Sequence, residues 1–544
     1  MPGPMIEIVH KPEVALESRI YELIKDGKLH EAAEACDTLN RDFPNYASGW
    51  YTSSMVALRA KQPQIALQSI NVALRLSPGK PEWMLRKLVC LGAVGDVEGS
   101  RAFARELDEV EFDTAHQASN CGLSLNQLGF HAEAEKHFQR ALELDPDNGS
   151  CHYNLATALR LLGRFDDARD ALNRAIELSP EDYESYVLRS SLRTQTAENN
   201  NVDSLLAALD SLPEEDRGRI PLSYSLAKEL EDLERYEESF DYLQQGSMAR
   251  RASLSYSLQE DLEMMRAMRE VYTKEVFDAE EQGFVNAEPV FIIGLPRSGT
   301  LLVDRILSAH SVVRSTPEAQ TMEAVILSQC ALNVSGASVT PAELVPVSLR
   351  LNFAGIGEAY VTQVRPTANP QAHFIDKRSL NFRFAGPIHC ALPKAKIIWL
   401  RRDPMDTCYA LYKTQFQGQY LYSYDLHELA EYFLAYDKLM AHWQEVMPGV
   451  VHAVQYEDLV TDSRPVIEAL LDYCHLGWED ACLRYQDQGP VGSSASAARL
   501  RQEMHQRSIG KWRCYEQQLQ PVYDVLDQGG VFERASGRMV PPTA

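Results

Sequence analysis

At 544 residues the chain exceeds what one hydrophobic core normally supports, so at least two domains are expected. Hydrophobic residues at 45% with 24% charged residues make a globular composition and exclude a largely disordered or collagen-like chain. The net charge of −24 falls early: residues 1–286 hold 30 Lys and Arg against 50 Asp and Glu (−20), whereas residues 287–544 hold 23 against 27 (−4), which excludes a general nucleic-acid binder.

In chain order, the first pattern is a repeat. Pro44, Pro78, Pro146 and Pro180 are separated by 34, 68 and 34 residues, and an alanine stands twelve positions before each: Ala32, Ala66, Ala134 and Ala168. Gly27, Gly129 and Gly163 fall seventeen residues before their prolines, where two helices must turn. The skipped beat is a degenerate copy at 81–114 that keeps Gly95 but has Ser100 for the alanine and Phe112 for the proline. A drifted copy, LERYEESFDYLQQG, follows a polar stretch around Glu198 to Asn201. The period resembles that of tetratricopeptide (TPR) repeats, in which small residues let two helices approach closely and stacked hairpins bury a continuous core. Residues 1–275 are therefore expected to form an all-α TPR superhelix. Such an array implies an acceptor protein or peptide as partner and leaves its identity open.

Residues 276–288 read as a polar linker, and from 289 the pattern changes. PVFIIG, HFID, AKIIWL and VVHAVQY read as short buried strands separated by helical periodicity. That alternation predicts a P-loop-like α/β domain over 289–544 with a central parallel sheet.

The first strand runs into GLPRSGT and then LLVDRILSAH, with Leu302, Val303, Ile306 and Leu307 on one helix face. A strand, glycine loop and helix point backbone N–H groups at an anion. In a nucleotide triphosphatase a lysine would complete the loop. Here Thr300 holds that position, and Arg297 is the loop's cation. On its own the stretch is also compatible with an ordinary Gly, Pro and Ser turn.

PRSGT after a strand resembles the phosphosulfate loop of the sulfotransferases, and the resemblance extends over residues 289–515. This region is similar to the catalytic domain of bacterial TPR-containing sulfotransferases and, more distantly, to the tyrosylprotein sulfotransferases. The resemblance implies transfer of the sulfuryl group of 3′-phosphoadenosine 5′-phosphosulfate (PAPS) to a hydroxyl, with PAPS as co-substrate and no metal. It assigns the 5′-phosphosulfate to Arg297, Ser298, Gly299 and Thr300. In the tyrosylprotein enzymes a catalytic carboxylate follows a helix-ending histidine by eight residues, and Glu318 stands at that distance from His310. FIDKRSLNF offers Lys377 to steady the transferring group. Arg402 in WLRRDPMD falls to the 3′-phosphate, and Tyr456 of VQYEDLV to the adenosine. Ser496 and Lys511, fifteen residues apart, match the family's C-terminal segment. The catalytic set is thus Glu318, Arg297, Lys377 and Ser496, with Arg402, Tyr456 and Lys511 completing the nucleotide site.

This sequence departs from the family pattern at Leu301, where a second threonine is usual, and at Ala410, where a serine binds the 3′-phosphate. Thr414 replaces an arginine of the tyrosylprotein enzymes, with Lys413 adjacent. Each lost hydrogen bond to a charged group costs roughly 1.5–3 kcal/mol, so reduced cofactor affinity is expected.

Sulfuryl transfer is an in-line displacement in which positioning and charge stabilisation dominate. Glu318 takes the proton of the acceptor hydroxyl. Two other readings stay open: a TPR scaffold whose C-terminal domain binds nucleotide poorly, and a P-loop phosphotransferase with Asp376 as its metal-binding carboxylate. The acceptor is unspecified, a protein tyrosine being one candidate, and the oligomeric state is unreadable.

The start of the chain shows no basic cluster leading into an apolar run, and no stretch is long and apolar enough to span a bilayer. A cytoplasmic protein without membrane association is expected. The ten cysteines contain no CxxC pair and read as reduced core thiols.

Overall fold

The computed structural model describes residues 11–110, 112–278, 283–316, 322–334, 340–365, 373–487 and 506–535. It divides into two compact units, Met1–Arg193 and Thr194–Ala544.

The first unit is a run of helical hairpins from Pro12–Lys25 to Tyr183–Ser191. Ala32, Ala66, Ala134 and Ala168 are all fully buried, as the close approach of paired helices requires. The helices before Pro44, Pro78, Pro146 and Pro180 end at Asp42, Leu76, Leu144 and Leu178, two residues ahead of each proline, because the residue preceding proline is pushed out of the helical region. The degenerate copy also folds as a hairpin, Pro81–Val94 and Val97–Leu107, with the Asp96 side chain capping the second helix at Gly99 N. Phe112 takes the proline's place by burying its ring against His137, edge to face at 5.5 Å.

The backbone carries the period more regularly than the residue types do. Gly27, Lys61, Gly95, Gly129 and Gly163 adopt positive φ of 74°, 58°, 80°, 86° and 81°, one every 34 residues. Four are glycines, the residue that enters this region without steric cost. Lys61 fills the same turn with a side chain.

The second unit begins within the helical region. The helices Arg219–Asp232, Tyr236–Ala252 and Leu258–Val271 bury Ile220, Tyr224, Phe240, Met264 and Met268 in the same core as Phe291, Ile293 and Trp443. Polar contacts reinforce the packing. Arg251 makes a two-pronged bond to Glu428 at 2.7 Å on each arm, and the Tyr272 hydroxyl pairs with Ser348 at 2.6 Å. The change of pattern near residue 275 and the division between compact units at 193 are therefore different lines. The hairpin resembling a repeat has its apolar face committed to the α/β core.

Among the described residues the sheet has five parallel strands: β1 Pro289–Ile293, β2 Val313–Ser315, β3 His373–Asp376, β4 Lys396–Arg401 and β5 Val451–Gln455. Their order is β2-β3-β1-β4-β5, with β1 central and buried along its whole length. Alternate residues of β1 feed opposite faces. Phe291 and Ile293 join the core that holds Trp443, while Val290 and Ile292 join the core formed with Leu302, Val303, Ile306 and Leu307. Sequence reading anticipated four strands. β2 escapes it because three residues with Arg314 at the centre make no apolar run.

In this order the chain leaves β1 toward β2 and β3, and then crosses to β4 on the other side. The crevice at the carboxyl end of β1 is therefore the switch point where ligands bind in open α/β sheets. Eight of the ten cysteines are buried, which places their thiols in the cores.

Candidate active site

The loop from Gly294 to Gly299 leaves the carboxyl end of β1 and enters the helix Thr300–Ser308. Both terminal glycines are required by space. Gly294 has φ 144°, and a Cβ there would lie 2.7 Å from the Leu400 carbonyl of β4. Gly299 has φ 108°, and a Cβ there would lie 2.7 Å from the Tyr456 ring. Arg297 also takes a positive φ, 69°, a conformation that costs an L-residue energy and is repaid only where the surroundings demand it.

Ser298 is 2% exposed, and its hydroxyl oxygen has no hydrogen-bond partner among the described residues. A buried hydroxyl without a partner normally costs about 1–3 kcal/mol, and this one keeps its hydrogen-bonding capacity available to a ligand of the loop. The following helix buries Leu302, Val303, Ile306 and Leu307 as its sequence pattern predicts, and its opening turn directs N–H groups at the loop. Leu301 is half-buried at that opening and supplies no polar atom.

Arg402 follows β4 and closes over the loop. One terminal nitrogen donates to the Arg297 carbonyl and the other to the Ser508 carbonyl, each at 2.8 Å. Its guanidinium stacks 5.0 Å over the Tyr456 ring, and the Tyr456 hydroxyl pairs with Ser508 Oγ at 3.0 Å. The Arg402 Nε is buried and lacks an acceptor among the described residues. Beside it, Glu457 accepts from the Asp403 N–H at 2.9 Å and the Gln455 amide at 2.6 Å, linking the ends of β4 and β5.

Lys377, just beyond β3, pairs with the buried Asp304 at 3.0 Å and reaches Ser315 Oγ at 3.3 Å. It thereby pins the helix after the glycine loop to the end of β2. His310 is 5% exposed and closes the end of the same helix by donating to the Gly477 carbonyl at 3.0 Å. Asp376 is half-buried and accepts from the Tyr360 hydroxyl, the Arg378 N–H and the Asn381 amide. Burial raises its pKa despite these donors. Its oxygens are spent on structure, which weakens the reading of Asp376 as a metal ligand. Among the described residues no group of three or more His, Cys, Asp or Glu is placed to hold a metal.

Lys511 opens the short helix Lys511–Tyr515. Its ammonium lies 3.7 Å from Glu231 and 5.2 Å from the Tyr236 ring centre. Burial works against its charge, but Glu231, Tyr236 and Cys514 outweigh it and raise its pKa. Glu318 and Ser496 lie outside the described residues.

Three contributors went unread in the sequence. Asp406 is 1% exposed and accepts from Gly510 N at 2.6 Å and Trp512 N at 3.2 Å, anchoring the Lys511 segment to the helix Pro404–Tyr412. Asp304 orients Lys377, and Ser508 joins Arg402 to Tyr456. Asp406 carries a faint signal, lying four residues after Arg402 inside an otherwise apolar helix. Asp304 and Ser508 carry none.

Known families and proteins resemble parts of the chain. The model described as sulfotransferase family matches residues 289–480, and that described as tetratricopeptide repeat matches residues 113–181. An uncharacterized protein of Aquifex aeolicus is 28% identical over 340 residues, 61% of this chain and 44% of that protein. Protein-tyrosine sulfotransferase 2 of Gallus gallus is 23% identical over 210 residues, 36% of this chain and 54% of that one. The chain thus spans about half the length of the curated relatives it matches. Among solved structures, PilW, a type IV pilus biogenesis factor, aligns at TM-score 0.31 with 16% identity, covering 46% of this chain and 96% of PilW. A TPR protein of Thermus thermophilus aligns at TM-score 0.27 with 19% identity, covering 33% of this chain and 98% of the other. The chain carries tetratricopeptide repeats over residues 113–181 and a sulfotransferase-family domain over residues 289–480.

Proposed function

We propose that the protein transfers the sulfuryl group of PAPS to a hydroxyl of an acceptor recruited by its repeat array, with a protein tyrosine as the first acceptor to test. The observation that carries this reading is the pair of buried polar atoms without partners among the described residues, Ser298 Oγ and Arg402 Nε, beside a loop whose glycines leave no room for a Cβ. Such a cradle fits a phosphate-bearing ligand. Similarity to a protein-tyrosine sulfotransferase supports the acceptor class.

When bound, the donor supplies the sulfuryl group and a phosphate leaving group. Arg297, Ser298, Gly299 and Thr300 hold the 5′ end, with Arg297 covering the charge that grows there. Arg402 binds the 3′-phosphate, Tyr456 flanks the adenosine, and Lys511 adds positive charge. Lys377, oriented by Asp304, and Ser496 serve the transferring group. Glu318 accepts the proton of the acceptor hydroxyl. A carboxylate with a pKa of about 4.3 facing a phenol near 10 takes that proton late, as the oxygen bonds to sulfur.

The repeats, of a kind generally used to bind proteins, present the acceptor. The reading places the protein in the cytoplasm, where its buried thiols stay reduced. Among the described residues no helix is long and apolar enough to cross a membrane.

One observation favours a second reading, a scaffold that binds nucleotide weakly. Both terminal nitrogens of Arg402 already donate to backbone carbonyls, and Leu301 and Ala410 offer no hydroxyl. Incubation with radiolabelled PAPS and host lysate separates the two. Label transfer that is lost in Glu318→Ala supports the enzyme, and no transfer by folded wild type sinks it.

A further inference from the structure

Glu231 lies near the end of the helix Arg219–Asp232, in the hairpin that resembles a drifted repeat. Its carboxylate accepts from the Lys413 ammonium through both oxygens, at 3.0 and 3.2 Å. The Tyr409 hydroxyl donates to the same carboxylate, and Lys511 stands 3.7 Å from it. Lys413 and Tyr409 belong to the end of the helix that follows Arg402, and Lys511 belongs to the segment anchored by Asp406. One carboxylate therefore gathers two lysines from separate parts of the sulfotransferase domain.

The charges in this neighbourhood do not balance. Burial is the largest influence lowering the Lys413 pKa; Glu231 opposes it, and the positive charges of Lys511 and Arg297 add to it. Two lysines thus face one carboxylate, and Arg297 of the glycine loop is near enough for its charge to act on Lys413. An ion pair whose only task was packing could be replaced by apolar side chains at little cost, whereas a surplus of positive charge suits an anionic ligand. Lys413 also lies three residues after Ala410, on the same side of the helix. Thr414 cannot help there, because its hydroxyl already donates to the Ala410 carbonyl at 2.7 Å.

We propose that Glu231 is a positioning residue of the nucleotide site, holding Lys413 and Lys511 together beside Arg297, and that Lys413 makes the phosphate contact that Ala410 and Thr414 do not supply. The inference rests on the PAPS reading above. It makes a hairpin of the helical region part of the nucleotide site.

Calorimetric titration of the full chain with adenosine 3′,5′-bisphosphate tests it. Lys413→Met and Glu231→Gln are each expected to weaken binding at least about tenfold, and Glu231→Asp to recover most of the affinity. The double variant is expected to lose less than the sum of the two single losses, because Glu231 acts in large part through Lys413 and only the remainder through Lys511; losses from a general structural role would add. The Lys413 side chain is 35% exposed, so its substitution leaves the core intact and decides the matter even where Glu231→Gln folds poorly. Wild type that does not bind the nucleotide overturns the sulfotransferase reading itself. Wild type that binds, with Lys413→Met unchanged or with additive losses in the double variant, overturns only the role proposed for Glu231 and Lys413.

Discussion

Arg402 donates to the Arg297 carbonyl at 2.8 Å, which ties the residue after β4 to the turn of the glycine loop. Its second arm holds the Ser508 carbonyl, so the guanidinium plane is set by two backbone oxygens and the Tyr456 ring. A lysine keeps the charge but not the planar fork. Arg402→Lys is expected to weaken adenosine 3′,5′-bisphosphate binding by about 1.5–3 kcal/mol, roughly tenfold or more. Calorimetry measures the affinity. Faster proteolysis after residue 508 in the variant would report the loosened segment.

Gly299 combines a φ of 108° with a Cβ position 2.7 Å from the Tyr456 ring. Gly299→Ala is expected to destabilise the fold by about 2 kcal/mol, the order of one strained backbone position, and to abolish nucleotide binding. Adding Tyr456→Ala should return part of the stability by removing the steric term while leaving the backbone term. Urea unfolding of the two variants measures the split.

Leu301 is half-buried at the start of the helix Thr300–Ser308 and has no polar atom to offer a ligand. Leu301→Thr is expected to tighten nucleotide binding about tenfold or more, the value of one hydrogen bond to a charged group. A calorimetric affinity equal to that of wild type would mean that the hydroxyl at this position contributes nothing.

Lys61 holds the left-handed turn position that glycine fills at 27, 95, 129 and 163. The steric cost of that conformation for an L-residue is about 1–2 kcal/mol, set against the greater backbone entropy glycine loses on folding. Lys61→Gly is therefore expected to stabilise the repeat unit by roughly 0.5–1 kcal/mol. Thermal unfolding followed by circular dichroism checks the sign.

The Glu231 carboxylate has a pKa lowered from 4.5: burial, the largest influence, raises it, but Lys413, Tyr409 and Lys511 together outweigh burial. A folded pKa below the unfolded one means that its contribution to stability is complete above the unfolded value and is lost as pH falls through the folded value. The difference in Tm between wild type and Glu231→Gln should accordingly be full at neutral pH and shrink below about pH 4.5. A difference independent of pH would show that the charge on Glu231 does not stabilise the fold.

What could be read in advance depended on how locally each feature is written. The alanines of the repeat are legible because a methyl-sized residue is needed wherever two helices touch, and that need recurs every turn of the array. The glycine loop is legible because a strand, two glycines and an amphipathic helix occur consecutively. β2 was missed since its pairing with β3, and not its composition, makes it a strand. Lys61 was missed because the turn's conformation is imposed by its neighbours. Asp406 and Glu231 were missed for another reason: each is a polar residue in a helical pattern, where the default expectation is a solvated charge.

The sequence alone therefore determined the repeat period, the α/β character of the second half, and the glycine-bracketed loop with Arg297 as its cation. Those features follow from short-range sterics and from the 34-residue, 3.6-residue and two-residue periodicities of packing. Only the tertiary structure decided that the helices from Val202 onward share a compact unit with the sheet, that Arg402 locks the loop, and that Glu231 joins Lys413 and Lys511. Those relations link residues up to hundreds of positions apart, and electrostatic complementarity across such distances in the chain leaves no period for a sequence to display.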